Sequence, residues 1–268
     1  MTSLSVFECE LIAANMLYSC IFSNAVYYLP SYLVHLYMNV FSLSPTDVVM
    51  KLLYGQRYRS EQYRSRIPVS KVSTFIRTYL YNNTGQTLDQ LLNYVFDCPI
   101  FYPKPSLTQG EMNEKRVLEL FAQQTGFTIK RGLDIVNPHI PYLVTQSDGY
   151  VMNENGTVGA VIEIKSPKCL QNINVYDGVA LGMVRSVQMF EGQYSLNPAS
   201  DHYCQIQLSM ALLNITNCYY ILYSSYDDSI LHIDVQRDDM YIYHKIQQID
   251  FIFSNVIFPS KICKRYSF

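Results

Sequence analysis

Apolar and polar positions repeat with different periods in different parts of the chain, and the change of period divides it. From residue 5 to 55 apolar side chains fall on every face of the helices the pattern predicts, with a break near Pro30 and an N-cap-like Ser44 to Asp47 before "VVMKLLYG". A helical stretch over 87–96 ("TLDQLLNYVF") runs into the Pro-rich connector 98–106 ("CPIFYPKPS"), the seam predicted between a helical part and a core. Residues 109–126 then place Glu114, Val117, Leu118 and Phe121 at helical spacing, with Gly126 as the C-terminal cap of an amphipathic helix. Beyond it the period falls to two. Strands are predicted in "YLVTQSDGYV", "TVGAVIEIKSP", "CYYILYSS" and "ILHIDVQRDD", with two helices between the second and third, over 177–190 and 201–214. Helix, strands, helices and strands in that order predict an α/β fold with a mixed central sheet flanked by helices. The division expected is an N-terminal helical lobe over 1–105 and a core over 106–268.

Length and composition narrow this picture. With 268 residues and 49% hydrophobic content the chain can bury a full core, and it carries no repeat or low-complexity tract. Seven cysteines, an odd number with no CxxC pair, argue against a disulfide framework and a thiolate zinc site, so a reducing intracellular compartment is expected. Between Glu10 and Asp47 no Asp, Glu, Lys or Arg occurs. Asn15, Asn24, Pro30, Ser31, His35 and Asn39 interrupt that run and no basic segment precedes it, which favours buried helices over a membrane segment.

Charge matters locally. A net charge of -2 provides no global attraction to a polyanion. Residues 56–77, however, hold Arg57, Arg59, Arg64, Arg66, Lys71 and Arg77 against the single acid Glu61, with Tyr58 and Tyr63 interleaved. Such a stretch suits either a solvated helix face or a nucleic-acid surface on which bases stack.

The candidate chemistry lies in the predicted strands. Asp148 ends one apolar stretch and Glu163-Ile164-Lys165 ends the next. Strand alternation puts Glu163 and Lys165 on one face and sends Ile164 into the core. Two carboxylates and the backbone carbonyl of Ile164 are oxygen ligands for a hard divalent cation, Mg2+ above all, with Lys165 placed to orient water and stabilise charge on a phosphate. A Glu-x-Lys triplet alone is more often the solvated face of a hairpin. His35, His139, His202, His232 and His244 show no ligand spacing, Cys204 has no visible activating partner, and the absence of a Gly-rich phosphate loop excludes a nucleotide cofactor.

Taken in order, these residues resemble the PD-(D/E)XK nuclease superfamily, and within it the YqaJ-like viral recombinases that include phage lambda exonuclease and, more distantly, baculovirus alkaline nucleases. "GEMNEKRVLELFAQQTG" (110–126) is similar to the family helix whose acid, here Glu114, lies beside the metal. "SDGYV" (147–151) is similar to Ser-Pro-Asp-Gly, making Asp148 a ligand, and "EIKSP" (163–167) to Glu-Leu-Lys-Cys-Pro. "YCQIQLSMALLN" (203–214) resembles the family's Gln-x-Gln helix, with Gln205 on the phosphate or water and Gln207 supporting it. "RIPVSKV" (66–72) resembles the Arg-Ile-Thr-Ala-Ser motif that binds a terminal 5'-phosphate. Arg64, Arg66 and Ser70 take that role, and Arg57, Arg59 and Ser147 join the DNA contacts.

Ser147 stands where the family has proline, Pro68-Val69 where it has Thr-Ala, and Ser166 where cysteine is common. The gap from Asp148 to Glu163 is also longer, a difference that a hairpin turn through "NENGT" (153–157) absorbs. None of these departures removes a ligand.

The resemblance implies a restriction-endonuclease-like fold and a Mg2+-dependent DNA nuclease, with Mn2+ able to substitute. The expected activity is a 5'-to-3' exonuclease resecting linear duplex DNA in recombination or viral genome processing. It further implies double-stranded DNA with free ends as substrate, a single-strand annealing protein as partner, a ring-like homo-oligomer, and a host nucleus or cytoplasm as the setting. An endonuclease of the same fold and a non-catalytic DNA-binding or assembly protein stay open beside it.

Overall fold

The computed structural model describes residues 66–81, 87, 90, 92–93, 105–132, 134–135, 140 and 142–257. The helices expected over 5–55, Arg57, Arg59, Arg64, most of the connector 98–106 and the basic tail 261–265 lie outside the described residues, as does most of the proposed lobe over 1–105. The chain forms two compact units: the described residues of 1–97, 134–145 and 240–268 make one, and those of 98–133 and 146–239 the other.

The second unit is built on a five-stranded mixed sheet. In chain order its strands are β2 (Ile129–Arg131), β5 (Gly149–Met152), β6 (Val158–Lys165), β9 (Asn217–Tyr223) and β10 (Ile230–Gln236), and across the sheet they run β10-β9-β6-β5-β2. β6 is the central strand, antiparallel to β5 and parallel to β9. Its sequence, VGAVIEIK, is rich in β-branched residues and is buried on both faces, as a strand with neighbours on both sides and layers above and below requires. Helix α2 (Pro105–Thr125) covers one face, where Val117 and Phe121 pack with Ile162, Ile164, Ile221, Tyr223 and Ile230. It ends where Gly126 takes φ +73 and its N–H bonds the Ala122 carbonyl at 2.9 Å, as expected of a glycine past a helix end. On the other face, helix α4 (Asp201–Leu213) packs against β6 and β9. Ser200 caps it by accepting the Tyr203 N–H, and Asn214 closes it in the left-handed region.

The hairpin between β5 and β6 turns through 153–157, closed by Asn153 N–H to the Thr157 carbonyl at 2.8 Å with Gly156 at φ +79. A register shift follows, so that Gly159 is an extra residue opposite Val151 and Met152. A Cβ there would lie 2.4 Å from Asn153 Oδ1, which explains the glycine.

One predicted element is corrected. Residues 177–190 do not form a helix. Helix α3 spans only Val175–Ala180, and Gly182 at φ +69 leads the chain out of it. Strands β7 (Val187–Phe190) and β8 (Gln193–Leu196) then form a hairpin. Its two-residue turn, Glu191 and Gly192, has both φ values positive, the geometry whose twist matches the two strands.

In the first unit, β1 (Ile67–Pro68) pairs in parallel with β4 (Leu143–Gln146), whose other neighbour is β3 (Asp134–Ile135). Helix α1 (Val69–Tyr81) buries Val72, Phe75 and Ile76. Helix α5 (Asp239–Ile252) buries Ile242, Ile246, Ile249 and Ile252 at helical spacing, and Tyr142 stacks on Phe253 at 4.4 Å. In the 87–96 stretch, Thr87 and Gln90 exchange backbone N–H and side-chain bonds as a capping box ahead of helical residues 90, 92 and 93. Among the described residues no helix is long and apolar enough to cross a membrane.

Candidate active site

Two glycines let the chain turn tightly at Asp148. A Cβ on Gly132 would sit 1.4 Å from the Ser147 carbonyl oxygen, and one on Gly149 would meet Leu118 Cδ2 at 2.8 Å. Gly132 therefore admits only hydrogen, and a side chain at Gly149 would force Leu118 to shift, so the two glycines let β2 and α2 close on the Ser147-Asp148 corner. The Asp148 N–H donates to the Ile162 carbonyl at 3.1 Å, and its Oδ2 accepts the Ile164 N–H at 2.6 Å. The aspartate is thereby tied to the end of β6, beside Glu163.

On that strand the alternation holds as expected. Ile164 is buried in the α2 face, while Glu163 is 2% exposed and turned toward α4. There Gln205 Nε2 donates to Glu163 Oε1 at 2.6 Å, and the Lys165 ammonium bonds the same oxygen. Four of the residues singled out in the sequence, Asp148, Glu163, Lys165 and Gln205, thus meet at one place.

The electrostatics of this group are unbalanced. Burial above all, and with it the Asp148 charge, raises the Glu163 carboxyl to about 7 against the pull of Lys165. Burial acts to lower the Lys165 ammonium, but the Glu163 and Asp148 carboxylates together outweigh it and hold it above the usual lysine range. Lysine therefore stays charged, and two carboxylates share one ammonium. A site of oxygen donors short of positive charge fits a hard divalent cation. Among the described residues no group of three or more His, Cys, Asp or Glu is gathered to hold a metal, so the carboxylate donors here are a pair.

Glu114 does not join that pair. It sits on α2 one turn before Leu118 and lies 4.0 Å from the Arg131 guanidinium. Its neighbour Asn113 donates to Ser166 Oγ at 3.1 Å, which ties the start of α2 to the residue after Lys165. Gln207 faces elsewhere: fully buried, it donates to the Gln236 carbonyl and accepts the Asp238 N–H, both at 2.8 Å, and so anchors α4 to the end of β10. Ser147 is buried, and its hydroxyl makes no hydrogen bond among the described residues. Arg66, fully buried, and the exposed Ser70 belong to the other unit.

Sequence reasoning passed over His202. It lies three residues before Gln205 on α4, and its Nδ1 is 2.8 Å from the hydroxyl of Tyr220, the residue that pairs with Glu163 across β6 and β9. Tyr220 is bonded in turn to Ser186 Oγ at 3.0 Å. The i, i+3 spacing of His202 and Gln205 was visible, but its cross-strand partner was not.

Comparison with solved structures finds the same fold in the alkaline exonuclease LHK-Exo from Laribacter hongkongensis. The likeness has 17% identity and a TM-score of 0.54, and it covers 76% of this chain and 94% of that one. Against the LHK-Exo complex with dAMP the values are 17%, 0.55, 77% and 97%. The chain thus shares with this exonuclease the fold expected from its sequence pattern, a mixed central sheet flanked by helices. No protein-family profile matches it, and no curated protein sequence does.

Proposed function

We propose that this chain is a metal-dependent DNA nuclease acting as an exonuclease on linear duplex DNA. The observation that carries the reading is the meeting of Asp148, Glu163, Lys165 and Gln205 at the end of β6. The shared fold with an alkaline exonuclease adds support. Mg2+, with Mn2+ as substitute, is the cation proposed, held by Asp148, Glu163 and the Ile164 carbonyl. Once bound it would polarise a phosphoryl oxygen and lower the pKa of a coordinated water.

The chain's own groups do the rest. Hydrolysis joins a water oxygen to phosphorus while the bond to the leaving nucleotide oxygen breaks. Lys165, kept charged by its carboxylate neighbours, stabilises negative charge growing on the phosphoryl oxygens and does not serve as the base. Gln205 holds Glu163 in place by its 2.6 Å bond and has an amide to present to water or phosphate. The 5'-to-3' direction, the roles of Arg66 and Ser70 in end binding, a single-strand annealing partner, a ring-like oligomer, a recombination or viral genome role, and a nuclear or cytoplasmic setting belong to the same proposal through the motif resemblance.

The test is to incubate the purified protein with labelled linear and covalently closed duplex DNA, with Mg2+ or EDTA, beside Lys165→Ala. Cleavage of the linear form alone, lost with EDTA and in the variant, is expected. Cutting of the closed circle makes the protein an endonuclease, and no metal-dependent cutting of either leaves a binding role.

A further inference from the structure

His202 is placed differently from the other described histidines. It stands on the first turn of α4, in the same helix row as Gln205, and the two side chains reach adjacent strands: Gln205 to Glu163 on β6 and His202 to Tyr220 on β9. Nδ1 takes part in the 2.8 Å bond to the Tyr220 hydroxyl, while Nε2 makes no hydrogen bond among the described residues. The ring is half-buried. Burial, with the nearby Lys165 charge, lowers its pKa to about 4, although Asp201 opposes this, so the imidazole is neutral at ordinary pH.

The hydrogen-bond chain favours one tautomer of the ring. Tyr220, pushed up to about 12 chiefly by burial, keeps its hydroxyl proton. Its two neighbours are the Ser186 hydroxyl, 3.0 Å away, which has a proton of its own to give, and the His202 Nδ1. With Ser186 donating to Tyr220 and Tyr220 donating to Nδ1, the imidazole proton sits on Nε2. With the directions so assigned, Nε2–H is a neutral donor held by two buried hydroxyls, and the ring is close enough to Lys165 to feel its charge.

We propose that His202 is a further catalytic residue of this site, donating a hydrogen bond from Nε2 to a phosphoryl oxygen of the scissile nucleic-acid phosphate beside Lys165. This rests on the nuclease reading above. A neutral donor fixed before the substrate arrives favours the transition state because it need not reorganise as charge builds on the phosphate. Lys165 supplies the charge and His202 the direction.

The two nitrogens can be tested separately, because an asparagine amide reproduces the position of Nδ1 and a glutamine amide that of Nε2. His202→Ala, His202→Asn, His202→Gln and Tyr220→Phe are compared with wild type in Mg2+-dependent single-turnover cleavage of labelled linear duplex DNA, with thermal midpoints and duplex affinity measured alongside. The alanine variant should lose cleavage rate on the order of 10²-fold, with affinity and midpoint little changed. Glutamine should restore most of that rate and asparagine should not. Tyr220→Phe, which frees the ring but keeps Nε2, should lose less than alanine does.

Rescue by asparagine rather than glutamine would reduce His202 to a tether of α4 on Tyr220 and overturn the proposal. So would rates within about twofold of wild type for all four variants. A wild-type protein that cleaves nothing overturns the nuclease reading itself, and this inference with it. An active wild type with an indifferent His202 overturns this inference alone.

Discussion

Asp148 Oδ2 accepts the backbone N–H of Ile164 at 2.6 Å, joining residues sixteen positions apart and placing one carboxylate beside another at the end of β6. The bond needs only an acceptor, whereas the proposed metal site needs the charge. Asp148→Asn keeps an amide oxygen for the Ile164 N–H and removes the charge that raises Glu163. Metal-dependent cleavage should fall by on the order of 10³-fold or more, since one of two charged ligands is lost. The thermal midpoint without metal should hold or rise, because a like-charge repulsion has gone. Cleavage assays and calorimetry check the two halves independently.

Glu163 and Lys165 form a buried pair whose halves depend on each other. Lys165→Met leaves Glu163 nearly fully buried beside Asp148 without its ammonium. Breaking such a pair from one side costs about 3–5 kcal/mol where the stranded group stays charged. The loss should be large at pH 8 and smaller at pH 5, where Glu163, already raised to about 7, takes up a proton. The double variant Glu163→Gln with Lys165→Met should recover part of the loss. Urea unfolding of the two singles and the double gives the coupling directly.

Gly149→Ala tests the close approach of α2 to the Asp148 corner. The added methyl would lie 2.8 Å from Leu118 Cδ2 and 3.3 Å from the Lys130 carbonyl. Overpacking of this kind costs about 1–3 kcal/mol. Because Asp148 is the adjacent residue, cleavage should fall as well. Leu118→Ala in the same chain should relieve the clash and restore more of the activity than of the stability.

His202 gives stability a pH dependence of known sign. Its pKa is lowered in the folded state, to about 4 from an ordinary 6.5, so the fold favours the neutral ring. That contribution is complete above 6.5 and is lost as pH falls from there toward 4. His202→Asn cannot take up the proton, so its midpoint should fall less than that of wild type between pH 7 and pH 5. Paired thermal melts at the two pH values measure the difference. Equal falls in both proteins would mean that the ring titrates alike folded and unfolded.

Much of the site was readable because its residues are close in sequence. A period of two is enough to put Glu163 and Lys165 on one face and Ile164 on the other, and β6 obeys it. The Glu114 helix was legible from its apolar spacing and its Gly126 cap, and the Gln205 helix was placed at nearly its observed range, since local hydrogen bonds close a helix wherever it packs. The β7-β8 hairpin was not. Met189 and Phe190 are 54% and 73% exposed, so apolar letters that usually mark a buried face mislead there. Helix α5 also went unpredicted, its isoleucines being interleaved with aromatic and polar residues.

Local periodicity and side-chain chemistry were thus enough for the mixed α/β class, the strands that carry the candidate site and the order of its acidic and basic groups. Which of those groups meet depends on how the elements pair and pack. Asp148 reaches Glu163 because β5 pairs with β6, and His202 bonds Tyr220, which lies opposite Glu163 because β9 runs parallel beside β6. Glu114 pairs with Arg131, and Gln207 is taken up by the end of β10. Those meetings depend on strand pairing and helix docking across long stretches of chain, where hydrogen bonds and burial select partners that local spacing does not encode.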